Sequence, residues 1–122
     1  MANDHEQLLI DFIGPLIDPV PVSTRHASEP PYLRIRRVGG AASTRVSEDV
    51  VVAVESYART ETEALSRLEQ VRVWFLGVAS SVAVTGVIRR VQELGAPINL
   101  PDPETPGIER YSMTMGLTAR RI

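Results

Sequence analysis

The stretch from Pro30 to Tyr57 constrains the fold of this chain more than any other. It reads Pro-Pro-Tyr-Leu-Arg-Ile-Arg-Arg-Val, then Gly39-Gly40 and small polar residues, then Arg-Val-Ser-Glu-Asp-Val-Val-Val-Ala-Val-Glu-Ser-Tyr. Two alternating, β-branched runs around a Gly/Ser/Thr segment predict a β-hairpin, with glycine supplying the positive φ of the turn. Successive strand side chains point to opposite faces, so the register must set apolar against apolar. Leu33 against Val52 and Ile35 against Val50 does this. The same register sets Arg36 against Asp49 and Arg37 against Glu48, cross-strand pairs worth about 0.2–1 kcal/mol each. Both faces turn polar toward the tip, which predicts a hairpin that leaves the core and projects toward water or a partner. Such a hairpin suggests assembly, not catalysis.

Around it, other elements follow from periodicity. Leu9, Phe12, Ile13 and Leu16 recur at helical spacing, predicting an amphipathic helix from about Asp4 to Ile17 with Asn3 or Asp4 as N-cap. Pro15 removes one helical hydrogen bond and clashes with the Asp11 carbonyl, so a kink or early stop is expected. Val20 to Thr24 reads as a strand that Pro21 confines to an edge or strand start. A second helix opens with Thr60 and Glu63 as a capping box, buries Ala64, Leu68, Val71 and Phe75, adds a Glu63–Arg67 pair, and stops at Gly77. Val82 to Leu94 fits a helix ending at Gly95, but its β-branched content and Gly86 favour a strand, the reading adopted. Pro97 to Pro106, with four prolines, reads as a rigid and partly extended connection. Finally Tyr111, Met113, Met115, Leu117 and Ala119 alternate with polar residues as a strand with one buried face, its methionines in the core. The fold class is therefore α+β: one domain with a mostly antiparallel or mixed sheet of about five strands on two helices, in the order α-β-β-β-α-β-β, with a projecting hairpin.

At 122 residues, a single domain can bury roughly two thirds of its unfolded surface without cross-links. Cysteine and lysine are both absent, excluding a disulfide framework, a thiolate nucleophile, a Schiff-base lysine and a phosphate-loop lysine. The net charge of −2 and the scattered arginines argue against a free-standing nucleic-acid binder. The first residues lack the basic and apolar regions of a signal peptide, and no apolar run reaches membrane-spanning length, so a protein not secreted by that route and without a membrane partner is expected. His26 lies beside Ser23 and Thr24, but a triad needs a third group and an oxyanion site, so a solvated loop is the better reading. Glu48 and Asp49 are adjacent on a strand and point to opposite faces, which rules out an acid dyad. Asp102, Glu104 and Glu109 crowd the proline loop, where a hard cation would find carboxylates, but a solvated acidic loop is preferred. No catalytic residue, metal or cofactor is assigned. Trp74 falls off the main face of the second helix, either as an anchor for a subunit contact or as part of a second buried face.

In this order of elements, the chain resembles the tail terminator, or tail-completion, proteins of long-tailed phages with non-contractile tails. The resemblance is carried by the opening helix with Pro15, Pro31-Tyr-Leu-Arg-Ile-Arg-Arg-Val-Gly-Gly40, Thr60-Glu-Thr-Glu-Ala-Leu, Gly95-Ala-Pro-Ile-Asn-Leu-Pro-Asp-Pro103 and Arg110-Tyr-Ser-Met-Thr-Met. It implies a virion protein: a hexameric ring on the last layer of the tail tube that ends tube growth and offers a docking surface to the head-completion or stopper protein, with genomic DNA passing unread through the lumen. Neighbouring head-to-tail stopper and adaptor proteins share similar lengths and hairpins. A peptide-binding α+β domain using the Val20–Thr24 edge for strand addition is a third reading. The candidate interface residues are Arg34, Arg36, Arg37, Gly39, Gly40, Glu48, Asp49, Trp74, Asp102 and Glu104.

Overall fold

The structure, a computed structural model, describes residues 4–42, 44–79 and 85–121. Its elements are α1 (Asp4–Leu16), β1 (Val22–Ser23), β2 (Tyr32–Ala42), β3 (Ser47–Ala58), α2 (Glu61–Gly77), β4 (Ile88–Asn99) and β5 (Glu109–Arg120), the α+β order predicted. The strands form one mixed sheet in the order β1-β2-β3-β5-β4, with β1 parallel to β2 and every other pair antiparallel.

Both helices lie on one face of this sheet. Leu9 and Ile13 from α1 and Leu68, Val71 and Phe75 from α2 are fully buried against Leu33, Ile35, Val50, Val52, Val54, Met113, Met115 and Leu117. The alternating face of β5 and the apolar face of α2 are thus as predicted, and the methionines are core. Two details of the helices differ. Leu16 is exposed while Ile17 is buried in its place, because α1 stops one residue after Pro15 and the chain turns there. The Thr60 hydroxyl accepts the Glu63 backbone N–H as an N-cap, but the Glu63 carboxylate accepts from Arg67 instead of reaching back, so the capping box is only half formed.

The hairpin forms with a different register. Leu33 faces Ser56, Arg34 faces Glu55, Ile35 faces Val54 and Arg37 faces Val52, and a bulge at Val38 then sets Gly40 against Val50 and Ala41 against Asp49. The expected pairings of Leu33 with Val52, Ile35 with Val50, and Arg36 with Asp49 are therefore corrected. Gly39 and Gly40 are strand residues, and the turn falls at Thr44 to Ser47, where the Thr44 hydroxyl accepts the Val46 and Ser47 N–H groups. Gly40, at φ +116°, is needed for close approach: a Cβ there would stand 2.0 Å from the Asp49 carbonyl oxygen. Because β5 accompanies β3 to the pair Ser47–Arg120, Arg36 lies mid-strand and not beyond the core; the turn itself is the exposed extremity.

Of the strand expected from Val82 to Leu94, Ile88 to Leu94 is strand, but Thr85 is helical and Gly86 and Val87 form a bend, and β4 runs on to Asn99 into the connection expected from Pro97, which falls in an irregular stretch of the ladder on an edge strand where its missing N–H costs no pairing. Val82 to Val84 and Asn3 lie outside the described residues. Trp74 is only 8 % exposed, with its ring 6.0 Å from Phe12 of α1 and 5.1 Å from Phe75, so it belongs to a second buried face and is not an exposed anchor.

Candidate functional site: the open face of the sheet

With both helices on one side, the other face of the sheet is left to Tyr32, Arg34 and Arg36 of β2, Asp49, Val51, Ala53, Glu55 and Tyr57 of β3, and Arg110, Ser112, Thr114, Gly116 and Thr118 of β5, which alternate with the positions beneath the helices. This face has two regions of different chemistry.

At one end it is charged and aromatic, covered by the loops 24–31 and 100–108. Tyr32 and Tyr57, opposite one another on β2 and β3, stack at 4.5 Å, and His26 meets Tyr57 edge-on at 5.3 Å. An Arg34 guanidinium nitrogen lies 2.9 Å from His26 Nε2; arginine only donates, so Nε2 accepts and the proton sits on Nδ1, 2.9 Å from the Tyr32 hydroxyl. The Tyr57 hydroxyl donates to Asp102 at 3.3 Å. Burial pushes both tyrosine pKa values up, so the hydroxyls stay protonated. The Glu104 backbone N–H holds the Asp102 pKa below its ordinary value, against an opposing contribution from burial and helped by the Arg110 charge 3.8 Å away.

Glu55 is the centre of this end. It is 3 % exposed in a strand of apolar neighbours and meets Arg110 at 2.8 Å, Arg36 at 3.3 Å and Arg34 at 3.5 Å, the last two as charge contacts without hydrogen-bond alignment. Three guanidiniums thus surround Glu55, Arg110 reaches Asp102 as well, and with Glu104 at its edge the cluster balances three arginines against three carboxylates. Ligand atoms of His26, Asp102 and Glu104 lie within 4.8 Å of one another, but the His26 lone pair is engaged by Arg34 and Asp102 is held by Tyr57, Glu104 and Arg110. A cation would have to displace those contacts, so the arrangement is an ion-pair cluster.

The rest of the open face is bare and largely apolar or small. Along β4, Leu94 and Ile98 stand 51 % and 56 % exposed, with Leu100 following the strand. Leu94 leans over Gly116, 3.2 Å from where a Cβ would be, and a shallow cleft of about 290 Å³ opens there between Val51, Leu94 and Thr118, with Asp49 and Arg90 at its rim.

Of the residues singled out in the sequence, Arg34, Arg36, Asp102 and Glu104 come together at the charged end, and Asp49 borders the cleft, its carboxylate accepting from the Thr118 hydroxyl at 3.3 Å. Arg37 and Glu48 do pair, at 2.6 Å, but diagonally and on the helical side, where Glu6 accepts the Arg37 backbone N–H. Gly39 and Gly40 serve the β2–β3 approach, and Trp74 lies in the core. Sequence reading missed Glu55, Tyr57 and Arg110, and set His26 aside. A signal for Glu55 was present: a carboxylate inside Val-Val-Val-Ala-Val-Glu-Ser-Tyr needs a buried partner, and Arg34 is at the matching distance from the turn. Neither any protein-family model nor any curated protein matches this chain.

Proposed function

We propose that the protein is a structural ring subunit of a phage tail, a terminator that closes the head-proximal end of the tail tube and offers a docking surface to the head-completion protein. The observation that carries this reading is the bare sheet face. A two-layer domain whose second sheet face presents Leu94, Ile98 and Leu100 beside small residues has an apolar surface that assembly would cover. A closed ring uses both sides of every subunit, which is what ends the growth of a polymer placed beneath it. The resemblance of the chain to tail terminators supplies the assembly; the surface supplies the means. The same surface would serve a stopper or adaptor of the head-to-tail joint. Strand addition at the Val20–Thr24 edge is less favoured, because β1 is only two residues long and already pairs with Leu33 and Arg34.

A phage lacking this protein tests the reading. Expected are normal DNA-filled heads, no head-to-tail joining, and tail tubes of variable and excessive length in electron micrographs. Purified protein added to growing tubes should halt elongation and leave a ring at one end. Tubes of normal length that fail to join heads would move the assignment to a joining protein, and missing tails would move it to tube initiation.

A further inference from the structure

Arginines that are scattered along the sequence are gathered by the fold. Antiparallel pairing of β3, β5 and β4 brings the β2–β3 turn, the end of β5 and the start of β4 to one extremity of the sheet. Arg45 lies in that turn, Arg120 pairs with Ser47, Arg90 pairs with Thr118, and Arg89 and Arg121 adjoin them in the chain. With neighbouring strands about 4.8 Å apart, these five backbones span roughly 10–15 Å. They are also held in place. The Arg121 N–H donates to the Val46 carbonyl at 2.8 Å, the Arg120 N–H donates to the Val87 carbonyl at 2.9 Å, and the Arg120 carbonyl accepts from His5 Nε2 at 3.1 Å.

All five side chains are exposed, and among the described residues none of them is paired with a carboxylate. Arg121 reaches the Thr44 and Arg45 carbonyls, at 3.5 Å. The nearby carboxylates are engaged elsewhere: Glu48 is held by Arg37 at 2.6 Å, Asp49 accepts from the Thr118 hydroxyl at 3.3 Å, and Glu6 accepts the Arg37 backbone N–H at 2.8 Å. With Arg37 and with Asp4 at the start of α1 included, this end holds six of the thirteen arginines but four of the fifteen carboxylate side chains. It is the positive end of a chain whose net charge is −2. The acidic remainder does not cancel it, because strands of twelve residues run about 40 Å and exposed charges at 0.1 M salt are screened beyond about 10 Å.

We propose that this extremity binds the phosphate backbone of double-stranded nucleic acid, without regard to sequence. The planar fork of a guanidinium matches two phosphate oxygens at once, and a row of such forks on fixed backbone fits the regular phosphates of a duplex. A single strand is less favoured, because its bases need exposed aromatic rings to stack on and none of the chain's aromatic side chains is exposed. A protein partner is less favoured for a related reason: the core of a protein interface is rich in aromatics and poor in charge. The surface belongs to the single subunit and stands with or without a ring.

The test measures binding of the full chain to a short fluorescein-labelled duplex by fluorescence anisotropy over a salt series. Five phosphate contacts should make the affinity fall about 500-fold between 50 and 200 mM salt. Arg89→Gln with Arg90→Gln, or Arg45→Gln with Arg121→Gln, leaves three contacts, so each pair should weaken binding at low salt and reduce that fall to about 40-fold. Arg59→Gln, an exposed arginine just beyond the other end of β3, should change neither quantity. AT-rich and GC-rich duplexes should bind alike, and circular dichroism verifies that every variant folds. Absence of binding at the lowest salt overturns the proposal, as does a salt dependence that the paired variants leave unchanged or that Arg59→Gln alters equally. Polyglutamate that competes as well as unlabelled duplex would assign the surface to an acidic protein instead, and an equally competitive single strand would remove the duplex. The tube-length experiment judges the ring reading independently of all these outcomes.

Discussion

Glu55 shows what a single residue decides in this fold. Its side chain is 4 % exposed, and the Arg34 and Arg110 side chains beside it are mostly covered, at 14 % and 15 %. Removing the carboxylate strands two guanidiniums away from water, so Glu55→Ala should cost about 3–5 kcal/mol in a urea titration. Arg36, at 42 % exposed, is solvated whether or not Glu55 is present, and Arg36→Ala should cost no more than about 1 kcal/mol. Equal losses for the two variants would place the charge outside the buried cluster. Asp102 adds a pH dependence whose sign is fixed. Its folded pKa lies below the ordinary carboxylate value, chiefly through the Glu104 backbone N–H, so its stabilising contribution is complete above the unfolded pKa and is lost as pH falls through the folded one. Acid titration of stability should therefore show a decline below about pH 4 that is shallower in Asp102→Asn.

At the scale of elements, helix α2 is fixed by burial and not by its own propensity. Leu68 is fully buried between helix and sheet, so Leu68→Ala should destabilise by about 2–5 kcal/mol, whereas Val73→Ala on the exposed side of the helix should stay within about 0.5 kcal/mol of the wild-type subunit measured in dilute solution. Coincident denaturant midpoints for these variants would show that the face assignment is wrong. That face was legible in the sequence, as was the alternation of Met113, Met115 and Leu117, because periods of 3.6 and 2 name the buried side directly. Register was not. The expected and observed hairpins differ by four residues, an even shift that keeps every side chain before the bulge on its proper face. Both also bring opposite charges together, Arg36 with Asp49 in one and Arg34 with Glu55 in the other, so neither criterion separates them. Gly40 misled because a tight turn and a close strand approach both demand glycine, and only the position of the Asp49 carbonyl tells which applies. The charged end of the sheet was legible only in part. Arg34, Arg36 and Asp102 stand out as charges, but the cluster exists because loops distant in sequence fold over Tyr32 and Tyr57.

For the molecule as a whole, the arrangement of layers has a thermodynamic consequence. The helices cover one sheet face completely enough to exclude water from Val50, Val52, Val54 and Met115, while Leu94 and Ile98 on the other face remain wet in the isolated subunit. Any species that binds only the folded chain raises its stability by mass action, and in the ring proposed above that species is another copy. The thermal midpoint of the wild type should therefore climb as protein concentration is raised. Leu94→Glu should hold a constant midpoint equal to the dilute limit of the wild type, because a half-exposed side chain lost from an assembly surface costs the subunit almost nothing. Differential scanning calorimetry across a dilution series makes the comparison. A Leu94→Glu midpoint depressed equally at every concentration would instead show that Leu94 works within the subunit, as the lid over Gly116, and would return the open face to solvent.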